Sequence, residues 1–141
     1  IRSSSLIFMN IKFVEYKIGE LKFSPSSQLL ENLSNLDSIN IDDYLRFTPI
    51  FFQNSSKNFV IKFHLEVKTE ETSFFELEFL SKFECEQDID EKFKESNFPI
   101  INAPAIAYPF LRAFVSNFFV SSGYYPILLP TYNFTKFKKS T

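Results

Sequence analysis

The sequence predicts an α+β fold: a single four-stranded antiparallel sheet with one long helix packed on one face. Two patterns carry that expectation. Residues 59–84 alternate apolar and polar side chains in two runs joined by a polar turn, whereas residues 107–118 repeat apolar side chains at helical spacing. The length, 141 residues, is that of one domain able to bury a core without disulfides or metal. Residues 1–141 are read as one domain with loosely ordered ends at 1–7 and 135–141.

The first element is a strand over residues 8–23. Its apolar phase runs through Val14, Tyr16 and Ile18 and then shifts to Leu21 and Phe23, with Gly19 at the shift, where a bulge or sharp bend fits. Residues 24–43 are polar but punctuated by Leu29, Leu30, Leu33, Leu36 and Ile39; a short helix and a long crossover loop both fit. Another strand spans 44–52, and Pro49 within it predicts an edge position or a bulge. Phe59, Ile61, Phe63, Leu65 and Val67 then alternate with Val60, Lys62, His64, Glu66 and Lys68. After a polar turn, Phe75, Leu77, Phe79, Ser81 and Phe83 alternate with Phe74, Glu76, Glu78, Leu80, Lys82 and Glu84. These two runs form an antiparallel hairpin of the longer-loop kind, since no Asn-Gly pair joins them.

Past Cys85 an acidic connector covers 86–95, and the helix follows. Ala107, Phe110, Leu111, Phe114, Val115 and Phe118 mark its apolar stripe, Pro104 or Pro109 suits its first turn, and Gly123 is its stop signal. The opposite side holds Ala113, Phe119 and Val120, relieved only by Arg112, Ser116, Asn117 and Ser121. A helix apolar on nearly every side calls for cover on both sides, and one sheet covers one face. The second layer is expected to be another subunit, with Phe110, Phe114, Phe118 and Phe119 as candidate interface residues.

The composition holds 20 Phe and no Trp. Each Phe buries about 150–250 Å², so some of them are expected to face a partner chain or a ligand groove, although an AT-rich genome also enriches Phe. The net charge of −2 gives no basis for nucleic-acid binding. Residues 62–95 carry 11 acids against 5 bases, and a small basic cluster of Lys136, Lys138 and Lys139 sits near the end. A single cysteine fits a reducing, cytoplasmic compartment. Residues 98–120 are apolar, yet Pro104, Pro109 and Arg112 argue against a membrane span, and residues 1–11 show no cleavage site.

No catalytic constellation stands out, and no cofactor is expected. His64 is the only histidine and Cys85 has no CxxC partner. Asp88, Asp90 and Glu91 lack the glycine and closing glutamate of a calcium loop, and Gly19 and Gly123 form no phosphate cradle. Glu76 and Glu78 share one strand face, which is either a wet surface or a docking surface for a basic partner.

Three ordered anchors resemble the SecB family of protein-export chaperones. Pro104-Ala-Ile-Ala-Tyr-Pro-Phe-Leu-Arg112 is similar to the segment that opens that family's long first helix, an apolar run into (Phe/Tyr)-Pro-(Tyr/Phe)-x-Arg. Gly123-Tyr-Tyr-Pro126 is similar to the Gly-x-(Phe/Tyr)-Pro at its end, and Leu128-Leu129-Pro130-Thr131-Tyr132-Asn133-Phe134 to the Leu-x-Pro-(Val/Ile)-Asn-Phe that follows. The likeness spans residues 8–134, in layout more than in residues over the strands, and the Ile-Asn-Ala-Pro-Ala-Ile spelling resembles a divergent, Bacteroidetes-like branch.

The resemblance implies a homo-tetramer built as a dimer of dimers. Its implied work is cytosolic holding of unfolded or precursor polypeptides and their delivery to the SecA motor. Within the same fold, a dedicated chaperone of a toxin–antitoxin system is the alternative; a structural or adaptor domain, and an enzyme of hotdog-like or cystatin-like shape, are the others. Family members continue into a second helix and a tail that contacts the motor; residues 135–141 leave that helix short or truncated and the tail contact absent. A holdase needs apolar surface, many weak contacts and charge for solubility. Leu29, Leu30, Leu33 and Leu36 of the crossover and Tyr124, Tyr125, Ile127, Leu128 and Leu129 after the helix are the candidate client-binding residues. Glu20, Glu66, Glu76 and Glu78 are the candidate motor-docking residues, expected to form a negative patch on the outer sheet face.

Overall fold

A computed structural model describes residues 10–25, 44–54, 57–69 and 72–139. The crossover leucines lie outside the described residues. Four strands, β1 (Ile11–Phe23), β2 (Leu45–Phe51), β3 (Asn58–Thr69) and β4 (Thr72–Cys85), form one antiparallel sheet in the order β1-β4-β3-β2. The expected hairpin is β3–β4, with Phe59 opposite Phe83 and Leu65 opposite Leu77. β2 takes the edge beside β3, so the missing N–H of Pro49 interrupts no central ladder.

β1 is the other edge, and it carries two bulges. Its register with β4 shifts between Phe13 and Glu15 and again between Ile18 and Glu20. The expected break at Gly19 is present, and a second one lies at Val14. The bulges follow from the charge spacing. Lys12, Glu15, Lys17, Glu20 and Lys22 stand opposite Glu84, Lys82, Leu80, Glu78 and Glu76, so all five lie on the outer face despite two odd-numbered steps in sequence. Phe13, Tyr16, Ile18, Leu21 and Phe23 stand opposite Phe83, Ser81, Phe79, Leu77 and Phe75 on the inner face. Each bulge absorbs one residue that would otherwise reverse the faces.

On the inner face Phe59, Ile61, Phe63, Leu65, Phe75, Leu77, Phe79 and Phe83 are fully buried. Their cover is α2 (Ala103–Ser121), reached through a single helical turn, α1 (Glu91–Lys94), and a wide π-type turn at Phe98–Asn102. Asp90 caps α1 by accepting from the Phe93 N–H at 2.8 Å. Phe93 is buried between Phe59 and Phe98 and anchors the acidic connector to the sheet. Pro104 sits in the first turn of α2 as expected, while Pro109 lies inside the helix. The helix ends in a Schellman closure: Gly123 adopts φ +94°, its N–H donates to Val120, and the Tyr124 N–H donates to Phe119.

Phe98–Ser121 is long and apolar enough to cross a membrane by length and composition. In this fold Ala103, Ala107, Tyr108, Leu111, Val115 and Phe119 bury one side of it within the chain's own core. Most described phenylalanines are covered in the same way; Phe52, Phe110 and Phe137 are the large exposed ones among the described residues.

Candidate functional site

Beyond Gly123 the chain runs back along α2 as an extended arm. Ile127 and Leu129 point inward and are buried, whereas Tyr125 and Leu128 are 77% and 70% exposed. The Tyr108 hydroxyl donates to the Pro130 carbonyl at 2.6 Å and fixes the arm near the start of the helix. Burial pushes the Tyr108 phenol up to about 12, against a lowering influence from Arg112, whose guanidinium lies 5.9 Å from the Tyr108 ring centre. Tyr132 and Phe134 pack on the same ring. The arm then closes as a 3₁₀ turn at Phe134–Phe137, capped by Asn133 and tied back by the Lys139 N–H donating to Asn97.

Between arm and helix lies a groove of about 220 Å³. Pro109, Arg112, Ala113 and Ser116 form its helix wall, and Ile127, Leu128 and Leu129 its arm wall. The candidate client-binding residues of the arm thus divide by direction. Leu128 is open at the groove and Tyr125 is open on the arm, Tyr124 is half-buried against Phe23, and Ile127 and Leu129 hold the arm to the core. Residues 125–129 are Tyr-Pro-Ile-Leu-Leu, apolar throughout, so nothing in the sequence distinguished the inward Ile127 and Leu129 from the outward Leu128 before the helix was placed.

The candidate interface residues also divide. Phe110, Phe114 and Phe118 form a row of four-residue steps over β1, meeting Phe13 at 4.5 Å, Tyr16 at 6.3 Å and Phe23 at 5.2 Å between ring centres. Phe110 is 44% exposed, and Val14, Tyr16 and Ile18 carry the open apolar surface onto the sheet edge. Phe119 instead is fully buried against Phe23, Phe74 and Phe75, and offers no surface to a second subunit in this fold.

Glu20, Glu66, Glu76 and Glu78 do share one end of the outer face: Glu20 stands opposite Glu78, and Glu66 opposite Glu76. The expected negative patch is a mosaic of charge pairs instead. Lys22 lies 3.8 Å from both Glu20 and Glu76, Lys62 3.8 Å from Glu78, and Lys68 3.7 Å from Glu66. The acid surplus of the sequence sits elsewhere, partly in the connector.

His64 Nε2 lies 3.9 Å from Glu76 Oε2 on this open face, beyond hydrogen-bond reach. Burial, and secondarily the Glu84 carboxylate, push the Cys85 thiol up to about 11, so it is a poor nucleophile. Among the described residues no three His, Cys, Asp or Glu side chains converge on a metal position.

No family model and no curated protein matches this chain. Among solved structures it is similar to the Mycobacterium tuberculosis SecB-like chaperone Rv1957 in complex with a ChAD peptide from the Rv1956 HigA1 antitoxin. The TM-score is 0.58 at 13% identity, covering 94% of this chain and 91% of that one. The fold is therefore SecB-like: a four-stranded antiparallel sheet with one long helix packed on it.

Proposed function

We propose that this chain is an ATP-independent chaperone that holds non-native polypeptides, with the groove between α2 and the arm as its gripping surface. One observation carries the reading. Tyr125 and Leu128, the two most exposed large apolar side chains among the described residues, stand on an arm whose neighbours lock it to the core. Exposed apolar side chains on a fixed frame suit weak, tolerant contacts with extended segments. The likeness to a chaperone solved with a bound peptide supports the same reading. The chain acts without chemistry of its own, in the cytosol, as a tetramer built as a dimer of dimers.

Two uses of such holding stand side by side. Delivery of secretory precursors to the SecA motor is supported by the sequence anchors and by four carboxylates sharing the outer face. Service to one antitoxin is supported by the peptide held in the similar structure. An adjacent toxin–antitoxin gene pair favours the second. Placement in the divergent branch of the family rests on the Ile-Asn-Ala-Pro-Ala-Ile spelling.

The test is suppression of aggregation of a chemically unfolded model client at stoichiometric chaperone. Wild type should suppress it equally with and without ATP. Leu128→Asp combined with Tyr125→Ser should lose most of the effect while melting normally. Equal aggregation with and without wild type would leave a structural or adaptor domain as the better description.

A further inference from the structure

The outer face of the sheet is charged along most of its length, but an apolar step interrupts it between the Lys62–Glu78 pair and the Lys12–Glu84 end. There Val60 of β3 and Leu80 of β4 are diagonal neighbours, since Val60 stands opposite Lys82 and Lys62 opposite Leu80. Phe52, just past β2, is 46% exposed and overhangs them. Together with Asn58 they line an open pocket of about 350 Å³, with Lys17, Lys82 and Glu15 at its rim. That volume is at the small end of ligand pockets, which run roughly 300–1,000 Å³. It is distinct from the groove on the helix side, with which it shares no residue.

The rim chemistry narrows the occupant. Neither Lys17 nor Lys82 forms an ion pair with a described residue, although acids and bases pair at the other end of the face. Two ammonium groups against one carboxylate leave a single positive charge over an apolar floor. A monoanion with an apolar body matches that arrangement, whereas a doubly charged phosphate exceeds the single net positive charge of the rim. The bulges of β1 create the site: they bring Glu15 and Lys17 to the same face as Leu80 and Lys82.

We propose that this cavity binds a small apolar monocarboxylate, its ring or short chain on Val60, Leu80 and Phe52 and its carboxylate between Lys17 and Lys82. The inference does not depend on the chaperone reading, because the groove and the cavity lie on opposite faces of the sheet.

Two probes of the same shape test it, 4-phenylbutanoate and the uncharged 4-phenylbutanamide, followed by backbone amide shifts in the full chain. The acid should shift Lys17, Leu80 and Lys82 saturably, and the amide should bind about fivefold more weakly, as expected for exposed charge contacts. Lys17→Gln with Lys82→Gln should bring the acid down to the affinity of the amide. Phe52→Ala should weaken both probes. Equal binding of acid and amide to wild type overturns the proposal. So do shifts confined to the Arg112–Leu128 groove, or no shifts at about 10 mM acid, which is well above a Kd of about 1 mM.

Discussion

The hydroxyl of Tyr108 and the carbonyl of Pro130, 22 positions apart in sequence, are joined at 2.6 Å. This bond ties the outgoing arm to the early turns of α2 and, with buried Ile127 and Leu129, holds the groove's second wall in place. Tyr108→Phe leaves the packing against Tyr132 and Phe134 in place but strands the Pro130 carbonyl, at a cost of about 1 kcal/mol. Because burial raises the phenol from 10.0 to about 12, the fold favours its protonated form. That contribution is complete below pH 10 and lost as the pH rises through 12. Absorbance titration of the folded protein should show one phenol ionising late, and Tyr108→Phe should abolish that step and flatten the stability loss between those two pH values.

Assembly should respond differently to neighbouring phenylalanines. Phe110→Asp places charge on the open stripe over β1, so sedimentation should show smaller species with the monomer fold intact. Phe119→Asp buries an unpaired carboxylate in the core and should unfold the chain. A wild-type protein that stays monomeric at micromolar concentration removes the tetramer from the proposal.

Ser81 occupies the inner face of the central strand β4 between Tyr16 and Ile61, fully buried, and its Oγ has no hydrogen-bond partner. A buried hydroxyl without a partner costs about 1–3 kcal/mol. Ser81→Ala removes the cost while nearly keeping the volume, and chemical denaturation should find the variant more stable by about 1 kcal/mol.

Reversal of Glu76 and Glu78 to Lys should reduce SecA binding and leave client holding unchanged. The same reversal places like charges beside Lys22 and Lys62, so a small loss of stability, about 0–1 kcal/mol for each exposed pair, should accompany it. SecA binding that ignores both the reversal and added salt would put docking elsewhere.

The sheet was legible because one of its faces is wet: alternation at Phe59–Val67 and Phe75–Phe83 could only be a half-buried hairpin. Gly19 announced one bulge by its type. The bulge at Val14 was legible only in the spacing of Lys12, Glu15 and Lys17, a subtler signal than the apolar pattern. α2 was legible as a helix but not in its orientation, since a segment apolar all round gives no preferred side; hence Phe119 and Phe110 could not be told apart. The acidic patch misled for a different reason. Lys22 and Lys62 are remote from Glu76 and Glu78 in sequence and become their neighbours only once the strand register is fixed. One turn of helix at Glu91–Lys94 is too short for any periodicity, and only Asp90 three residues before Phe93 hinted at it.

The outermost strands of the sheet have a bearing on how the protein survives its own company. An open β-edge is a template on which further chains can stack, and a long flat one seeds fibres. Here Pro49 removes an amide from β2. On β1 the ladder to β4 keeps step only over Ile11–Phe13, Glu15–Ile18 and Glu20–Phe23. A stray strand arriving at that border would fall out of phase after four residues at most. The two interruptions that sort charge from core along β1 therefore also act as baffles. Such an interrupted border is a poor template for the growth of a sheet.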